Sequence, residues 1–386
     1  MDKVEQVIIG AGVVGCAIAY ELSQKGFSPL VFEKGPRIAE GVTSRNSGVI
    51  HAGLYYKPSS LKAQSCIRGN ALLYEWCQKY RVPFRKTGKW VVGSLAEEGE
   101  LEAIHANALE SGATGLHLYT KNPKPLNWDS KISADIGMYS SETGIVDPYE
   151  FSYSLYTQAE QNGAQFILNT EVKNITCLPQ GGYELETSRG LIQTEIIFNA
   201  AGLYADEIAA LAGITKYKIY PYRGDYFFLR TPQVFSSLVY PIKKKGSAGL
   251  GIHLTIAIDG SYRLGPDVSL APSYCVGFAS EFVACTSYAF SGKSSGKEDF
   301  FPPSNLEEKK LLFYQAACQY LQNISLDQLQ YDSCGLRPKL RSPQDKEEKD
   351  FVVSQDLPGF INLVGIESPG LTASLDLAQR AVGLLV

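Results

Sequence analysis

Three glycines near the start of the chain have the spacing that binds the pyrophosphate of a dinucleotide. Gly10, Gly12 and Gly15 follow an apolar run at residues 4–9 and open a run of small residues at 13–24. The first glycine permits a tight turn, the second lets the backbone approach the phosphates, and the third lets a helix pack closely on a strand. The N-terminus of that helix would offer free N–H groups and a positive dipole end to the phosphates.

An acidic residue follows at the distance that such a site requires. Glu33 ends a second apolar run, residues 28–33, where a carboxylate can bind the ribose hydroxyls of an adenosine. An acid at this position disfavours a 2′-phosphate and therefore NADP. The glycine spacing alone does not separate NAD from FAD.

The next segment, residues 43–56, favours a flavin. It is polar and contains glycines, so it can wrap the pyrophosphate and ribityl chain of FAD. The apolar Val49 and Ile50 beside His51 indicate a buried turn, not a surface loop. We therefore expect FAD as the cofactor and predict no metal site.

These motifs require a βαβ unit to position them, and the wider pattern supplies one. Residues 4–9, 13–24 and 28–33 predict strand, helix and strand within about 30 residues. Residues 216–290 alternate aromatic or β-branched side chains with polar ones, as strands of an antiparallel sheet do. The end of the chain again has the pattern of an apolar strand followed by a helix, with a predicted strand at 360–364 and a helix from about 371.

The predicted fold class is α/β (α+β overall), with a Rossmann-like FAD-binding domain and an inserted antiparallel β-sheet substrate domain. We predict that the discontinuous FAD-binding domain comprises residues 1–85, 145–215 and 330–386, and the substrate domain residues 86–144 and 216–329.

Composition limits the partners and the compartment. The net charge is −4, and the longest basic run is three lysines at 243–245, too short for a nucleic-acid footprint. The eight cysteines are dispersed without a CxxC pair, which is typical of reduced, mostly buried thiols in a cytosolic protein. We expect no secretion signal and no transmembrane segment. The prediction is a cytoplasmic protein, with peripheral contact to the inner membrane left open.

Eight segments together resemble the L-2-hydroxyglutarate dehydrogenase/oxidase family, within the D-amino-acid oxidase-like or glycine oxidase-like flavoenzymes. The resembling segments are residues 44–56, 143–148, 199–206, 222–226, 251–255, 264–267, 335–340 and 365–372. The first of these is specific to the family, and the last two occur widely across the group. The segment 272–303 has no counterpart that we can assign.

The resemblance implies FAD held across both ends of the chain, with noncovalent attachment expected and covalent linkage left open. Residues 370–372 would place backbone N–H groups and a helix N-terminus beside the flavin pyrimidine ring, favouring hydride acceptance. The cofactor-binding residues that it implies are Gly10, Gly12, Val14, Gly15, Glu33, Lys34, Thr43, Ser44, Arg45, Asn46, Ser47, Val172, Ala201, Gly202, Arg337, Gly370, Leu371 and Thr372.

The expected reaction is oxidation of a small 2-hydroxy acid, by resemblance L-2-hydroxyglutarate to 2-oxoglutarate, with hydride transfer to flavin N5. An imidazole suits removal of the hydroxyl proton, and His253 and His51 both remain candidates for that base. Arg337 and Arg223 are candidates to bind substrate carboxylates, because arginine offers two parallel donors. Lys339 is either a cation beside the flavin or a solvated lysine.

Two alternatives remain open at this point. One is an amine oxidase of the glycine or D-amino-acid oxidase type, which needs no strong base once the amine is deprotonated. The other is a non-catalytic FAD-binding protein. The sequence does not indicate whether oxygen, a quinone or a carrier protein accepts the electrons. A glycerol-3-phosphate dehydrogenase is less favoured, because a second cationic cluster suited to a phosphate is not visible.

Overall fold

The structure is a computed structural model that describes residues 2–120, 128–242, 251–271, 302–303 and 305–385. Most of the unassigned segment 272–303 and the three lysines at 243–245 therefore lie outside the described residues.

Helices and strands alternate along the first and last parts of the chain. The helices are α1 (Val13–Gln24), α2 (Leu61–Tyr80), α3 (Glu98–Glu110), α4 (Pro148–Gln161), α5 (Ala205–Leu211), α6 (Leu306–Ala317) and α7 (Gly370–Gly383). The strands are β1 (Asp2–Ile9), β2 (Leu30–Phe32), β3 (Val49–Ile50), β4 (Phe84–Arg85), β5 (Lys89–Gly93), β6 (Leu116–Tyr119), β7 (Ile136–Ser140), β8 (Gly144–Val146), β9 (Gln165–Ile167), β10 (Val172–Cys177), β11 (Tyr183–Thr187), β12 (Gly190–Asn199), β13 (Tyr220–Leu229), β14 (Leu238–Pro241), β15 (Leu254–Ile256), β16 (Tyr262–Leu264), β17 (Ser269–Leu270), β18 (Leu329–Lys339), β19 (Val352–Leu357) and β20 (Phe360–Val364).

The first sheet contains the predicted βαβ unit. β2 and β12 flank β1, both parallel to it, and β9 and β20 extend the parallel part on either side. β10, β11 and β19 add antiparallel edges. Helices α1, α4 and α7 pack together over this sheet around buried side chains such as Ile18, Phe151 and Leu377. Segments near the two ends of the chain therefore share one sheet, through β1, β2 and β20, and one helical layer over it, through α1 and α7, as the Rossmann-like prediction requires.

The second sheet is mixed, not purely antiparallel. Its order is β17-β13-β16-β15-β14-β5-β7-β6, with β18 also paired along β13. β14 and β5 run parallel, with Val239 opposite Trp90, because these strands come from distant parts of the chain and no hairpin dictates their direction. The prediction of an antiparallel sheet thus holds for its other pairs and is wrong for this one.

Several element bounds agree closely with the predicted ones. Helix α1 covers 13–24 and β20 covers 360–364, as expected. The predicted domain boundaries stay a prediction. Strand β18, which we assigned to the FAD-binding segments, is hydrogen-bonded to β13 along its length in the second sheet.

The cysteines are only partly buried. Cys16, Cys66 and Cys77 are buried free thiols, whereas Cys177 and Cys318 are exposed. The expectation of mostly buried thiols therefore holds for only half of the described cysteines, since Cys334 is partly exposed as well. Among the described helices, none combines the length and apolar character needed to cross a bilayer.

Candidate active site

One cavity of about 1250 Å³ contacts both sheets. It begins at the glycine turn after β1, continues past the loop between β2 and β3, and reaches β13, β14 and β18 of the second sheet. The N-terminus of α7 lines the same cavity through Gly370 and Leu371. Segments from the two ends of the chain therefore meet at one site.

The glycine turn fits closely against its neighbours. Gly10 has a φ of +104°, and a Cβ there would lie 2.6 Å from the carbonyl oxygen of Ala200. A Cβ on Gly15 would lie 1.9 Å from the carbonyl oxygen of Gly10, so this glycine allows α1 to approach the strand. Gly12 precedes α1 without a side-chain cap, and Gly12 and Val14 line the cavity. Gly15 itself does not line it and acts through packing.

Glu33 is held in place by backbone donors at the far end of the cavity. Its carboxylate accepts hydrogen bonds from the N–H of Ala11 at 2.9 Å and of Gly35 at 2.8 Å. The Lys34 ammonium lies 3.1 Å from the ring centroid of Tyr204, and burial lowers the pKa of that lysine. The predicted residues Val172, Ala201 and Gly202 line the same region.

The loop after β2 follows the cavity wall through most of its predicted residues. The Thr43 hydroxyl accepts a hydrogen bond from the N–H of Val13 at 3.0 Å, which ties the loop to the start of α1. Arg45, Asn46 and Ser47 line the cavity with Thr43. Ser44 does not, because its hydroxyl donates locally to the carbonyl oxygen of Glu40 at 2.7 Å.

Thr372 connects the last helix to β3 and to His51, the residue directly after that strand. Its hydroxyl accepts a hydrogen bond from the His51 N–H at 3.0 Å and donates to the Val49 carbonyl at 3.2 Å. Thr372 is fully buried and does not line the cavity, unlike Gly370 and Leu371. The threonine therefore positions β3 against α7.

Both candidate histidines line the cavity. The His253 Nδ1 lies 2.9 Å from the carbonyl oxygen of Gly251, and its ring stacks on Tyr240 with the centroids 3.7 Å apart. The His51 Nε2 lies 3.3 Å from the Ser368 hydroxyl. Burial, together with the nearby positive charge of Lys89, lowers the pKa of each imidazole to about 3.

The tautomer of His253 follows from its neighbour. A carbonyl oxygen only accepts, so Nδ1 carries the proton and Nε2 keeps its lone pair. Ser368 can donate or accept, so the tautomer of His51 is not fixed in this way. The contact with Gly251 therefore fixes His253 in the tautomer that can accept a proton at Nε2, whereas the contact with Ser368 does not fix the tautomer of His51.

The two candidate arginines lie on adjacent strands but have different surroundings. Arg337 lines the cavity, and its Nη1 donates to the Asp267 carbonyl at 3.3 Å. Its guanidinium lies over Gly224, where a Cβ would approach Nη2 to 2.7 Å. Arg223 does not line the cavity, because its guanidinium pairs with the buried Asp225 at 2.6 Å. The structure therefore does not bring Arg223 to the site.

Among the other lining residues, the sequence analysis named Lys339 but did not single out the ones around it. Tyr55 and Tyr240 form aromatic walls of the cavity. At another part of the lining, Lys62 pairs with Glu367 at 2.8 Å, and Lys339 lies 3.4 Å from the same carboxylate. Lys339 is 7% exposed, which excludes the solvated alternative. Sequence offers little signal for these residues, since tyrosines and ion-paired lysines are common elsewhere.

The residues present fit a bound FAD. The adenosine and pyrophosphate end is provided by a glycine turn with no space for Cβ atoms, a helix N-terminus whose N-cap Gly12 has no side chain, and a fixed acid after β2. The α7 N-terminus provides N–H groups at another part of the same cavity. These backbone donors and this carboxylate acceptor are the hydrogen-bonding groups that a flavin dinucleotide requires.

Comparison with known proteins agrees with this geometry. The family described as "DAO: FAD dependent oxidoreductase" matches residues 6–382. An Arabidopsis thaliana protein named "L-2-hydroxyglutarate dehydrogenase, mitochondrial" is 32% identical, over 98% of this chain and 83% of that protein. A Caloramator mitchellensis protein named "Glycerol 3-phosphate dehydrogenase" is 30% identical, over 98% of this chain and 73% of that protein.

A solved structure has the same fold. L-α-glycerophosphate oxidase from Mycoplasma pneumoniae, described as dithionite-reduced with FAD bound, superimposes with a TM-score of 0.81. The match covers 100% of this chain and 95% of that one at 24% sequence identity.

Proposed function

The chain belongs to the DAO family of FAD-dependent oxidoreductases, and within it we propose that this enzyme oxidises L-2-hydroxyglutarate, or a closely similar 2-hydroxy acid, to the 2-oxo acid. One observation carries the proposal: Arg337, His253 and His51 line one cavity with the glycine turn of the dinucleotide site. A cation and a neutral base beside a flavin site are the groups that 2-hydroxy-acid oxidation needs. The 32% identity to a protein named for this activity supports the substrate.

Arg337 binds the carboxylate next to the carbon that is oxidised. Its guanidinium lies over a glycine, so no side chain of β13 covers it there. The side chain is oriented by the Asp267 carbonyl and has no carboxylate partner in the described part of the chain. An arginine in this state is free to form a bidentate pair with a substrate carboxylate.

His253 takes the hydroxyl proton. The carbonyl of Gly251 keeps the proton on Nδ1, so Nε2 is the basic atom, and stacking on Tyr240 holds the ring. The substrate loses this proton and a hydride from C2, and the C–O bond becomes a carbonyl. FAD, when bound, supplies the acceptor for the hydride.

The test is anaerobic mixing of the purified flavoprotein with a substrate panel while the visible spectrum is recorded. We expect L-2-hydroxyglutarate to bleach the flavin band and to yield 2-oxoglutarate. Bleaching by glycine or a D-amino acid alone, with release of ammonia, would move the function to amine oxidation. A band that stays oxidised with every compound would indicate a non-catalytic flavoprotein.

Glycerol 3-phosphate is the second candidate substrate, because of the 30% identity to a protein named for its dehydrogenation. The same panel separates the two substrates. Bleaching by glycerol 3-phosphate and not by 2-hydroxy acids would contradict the proposal, while keeping hydroxyl oxidation as the reaction type.

A further inference from the structure

One buried lysine has no anionic partner in the part of the chain that the structure describes. Lys89 is the first residue of β5, which lies between β14 and β7, and it is only 1% exposed. Its ammonium lies 4.7 Å from the ring centroid of Tyr240 and 5.0 Å from that of Tyr55. Lysine is rarely buried without a counter-charge, so we expect this ammonium to lie near an anionic group of a bound ligand.

A hydroxyl beside this cation also has no partner. The Tyr55 hydroxyl is buried and makes no hydrogen bond to the described residues, although the ring lines the cavity. A buried polar group without a partner costs free energy, and such groups often mark a ligand position. Tyr55 thus presents an unused donor at the cavity, and Lys89, which does not line the cavity itself, places a positive charge beside the rings of Tyr55 and Tyr240 that do.

This place adjoins the proposed catalytic groups. The ring of Tyr240, against which Lys89 lies, stacks on His253. Both Lys89 and Arg337 lower the pKa of His253, so the imidazole lies within the electrostatic influence of two separate cations. A substrate with two anionic groups can pair with Arg337 through one of them and place the other near Tyr55, within the field of Lys89, while its hydroxyl faces the histidine.

We propose that Tyr55 and Lys89 form a second anion-binding subsite, which takes the distal carboxylate of a 2-hydroxy dicarboxylate. Tyr55 donates its hydroxyl to the carboxylate, and Lys89 supplies positive charge from beside the two aromatic rings. Arg337 holds the carboxylate next to the reacting carbon. This inference rests on the proposed function and adds to it the residues that select a dicarboxylate.

The test compares two substrates of the same chain length. L-2-hydroxyvalerate has the five-carbon skeleton of L-2-hydroxyglutarate but lacks the distal carboxylate. The wild-type flavoprotein should have a kcat/KM at least roughly tenfold higher for L-2-hydroxyglutarate, as a hydrogen bond to a charged group allows. In Tyr55→Phe and in Lys89→Met this ratio should fall about tenfold, mainly through the KM for the dicarboxylate.

Matched controls separate the subsite from general effects. Tyr149→Phe and Lys216→Met change exposed residues that do not line the cavity, and they should keep the wild-type ratio. FAD content and thermal unfolding show whether each variant folds. Tyr55→Phe keeps the aromatic wall, so it tests the subsite even if Lys89→Met is unstable.

The outcomes separate the two proposals. Equal kcat/KM for both acids in the wild type, or an unchanged ratio in Tyr55→Phe, would overturn the subsite and leave 2-hydroxy-acid oxidation intact. A wild-type flavin that neither acid bleaches would overturn the proposed function, and the subsite with it.

Discussion

The two ends of the cavity are made from different parts of the polypeptide. The adenosine and pyrophosphate end uses mainly backbone groups of one continuous βαβ unit, with Glu33 fixed by the N–H groups of Ala11 and Gly35, although Val172 and Gly202 also line it. The reacting end uses side chains from distant segments, and one of its contacts joins His51 to Ser368, 317 residues away. The first end depends on local spacing, whereas the second depends on the whole fold.

The largest expected effect concerns the reacting end alone. His253→Ala should lower kcat by about 10²–10⁴-fold, because the base for the hydroxyl proton is lost, with FAD content unchanged. His51→Ala should lower kcat less. His117→Ala, at an exposed position on β6, is the control. Stopped-flow flavin reduction measures all three variants, and the reverse order of the two cavity histidines would assign the base to His51.

The dinucleotide end was predictable because its signals lie within 33 residues. The glycine spacing and Glu33 define a turn whose geometry is the same wherever it occurs. The reacting end was predicted less fully. Arg223 was the second candidate after Arg337, yet Asp225 lies two residues later on the same face of β13 and binds its guanidinium. That i+2 carboxylate is a sequence signal that could have separated the two arginines.

Lys89 shows why other residues near the reacting end could not be predicted from the sequence. A lysine opening a strand usually reaches solvent, and its local sequence gives no sign of burial. It is buried because β5 is a central strand, between β14 and β7, and this depends on a parallel pairing of distant strands. Pairing of this kind is not encoded in local periodicity.

A substitution of intermediate effect tests the packing at the dinucleotide end. Gly15→Ala places a methyl group 1.9 Å from the Gly10 carbonyl, and should destabilise the protein by about 1–3 kcal/mol and weaken FAD retention. Gly99→Ala, in α3, has no neighbour within 4 Å and should be neutral or stabilising by up to about 1 kcal/mol. Denaturant unfolding and flavin absorbance measure both. Equal stability of the two variants would contradict the close-packing role of Gly15.

The smallest expected effect is a pH dependence confined to the reacting end. Burial lowers the pKa of Lys89 to about 7, so its charge is present below pH 7 and is lost as the pH rises through that value. The KM for L-2-hydroxyglutarate should therefore rise severalfold between pH 6 and pH 8, whereas FAD retention should not change. In Lys89→Met this rise should be absent. A KM that rises equally in that variant would assign the titration to another group.

The central claim is that this flavoprotein removes a hydride from C2 of a 2-hydroxy acid. The most direct measurement is a single turnover without oxygen, using L-2-hydroxyglutarate with hydrogen or deuterium at C2. We predict that the flavin band bleaches with one equivalent of 2-oxoglutarate formed, and that bleaching is slower with deuterium. A flavin that stays oxidised with this substrate, or bleaching without 2-oxoglutarate, would contradict the claim.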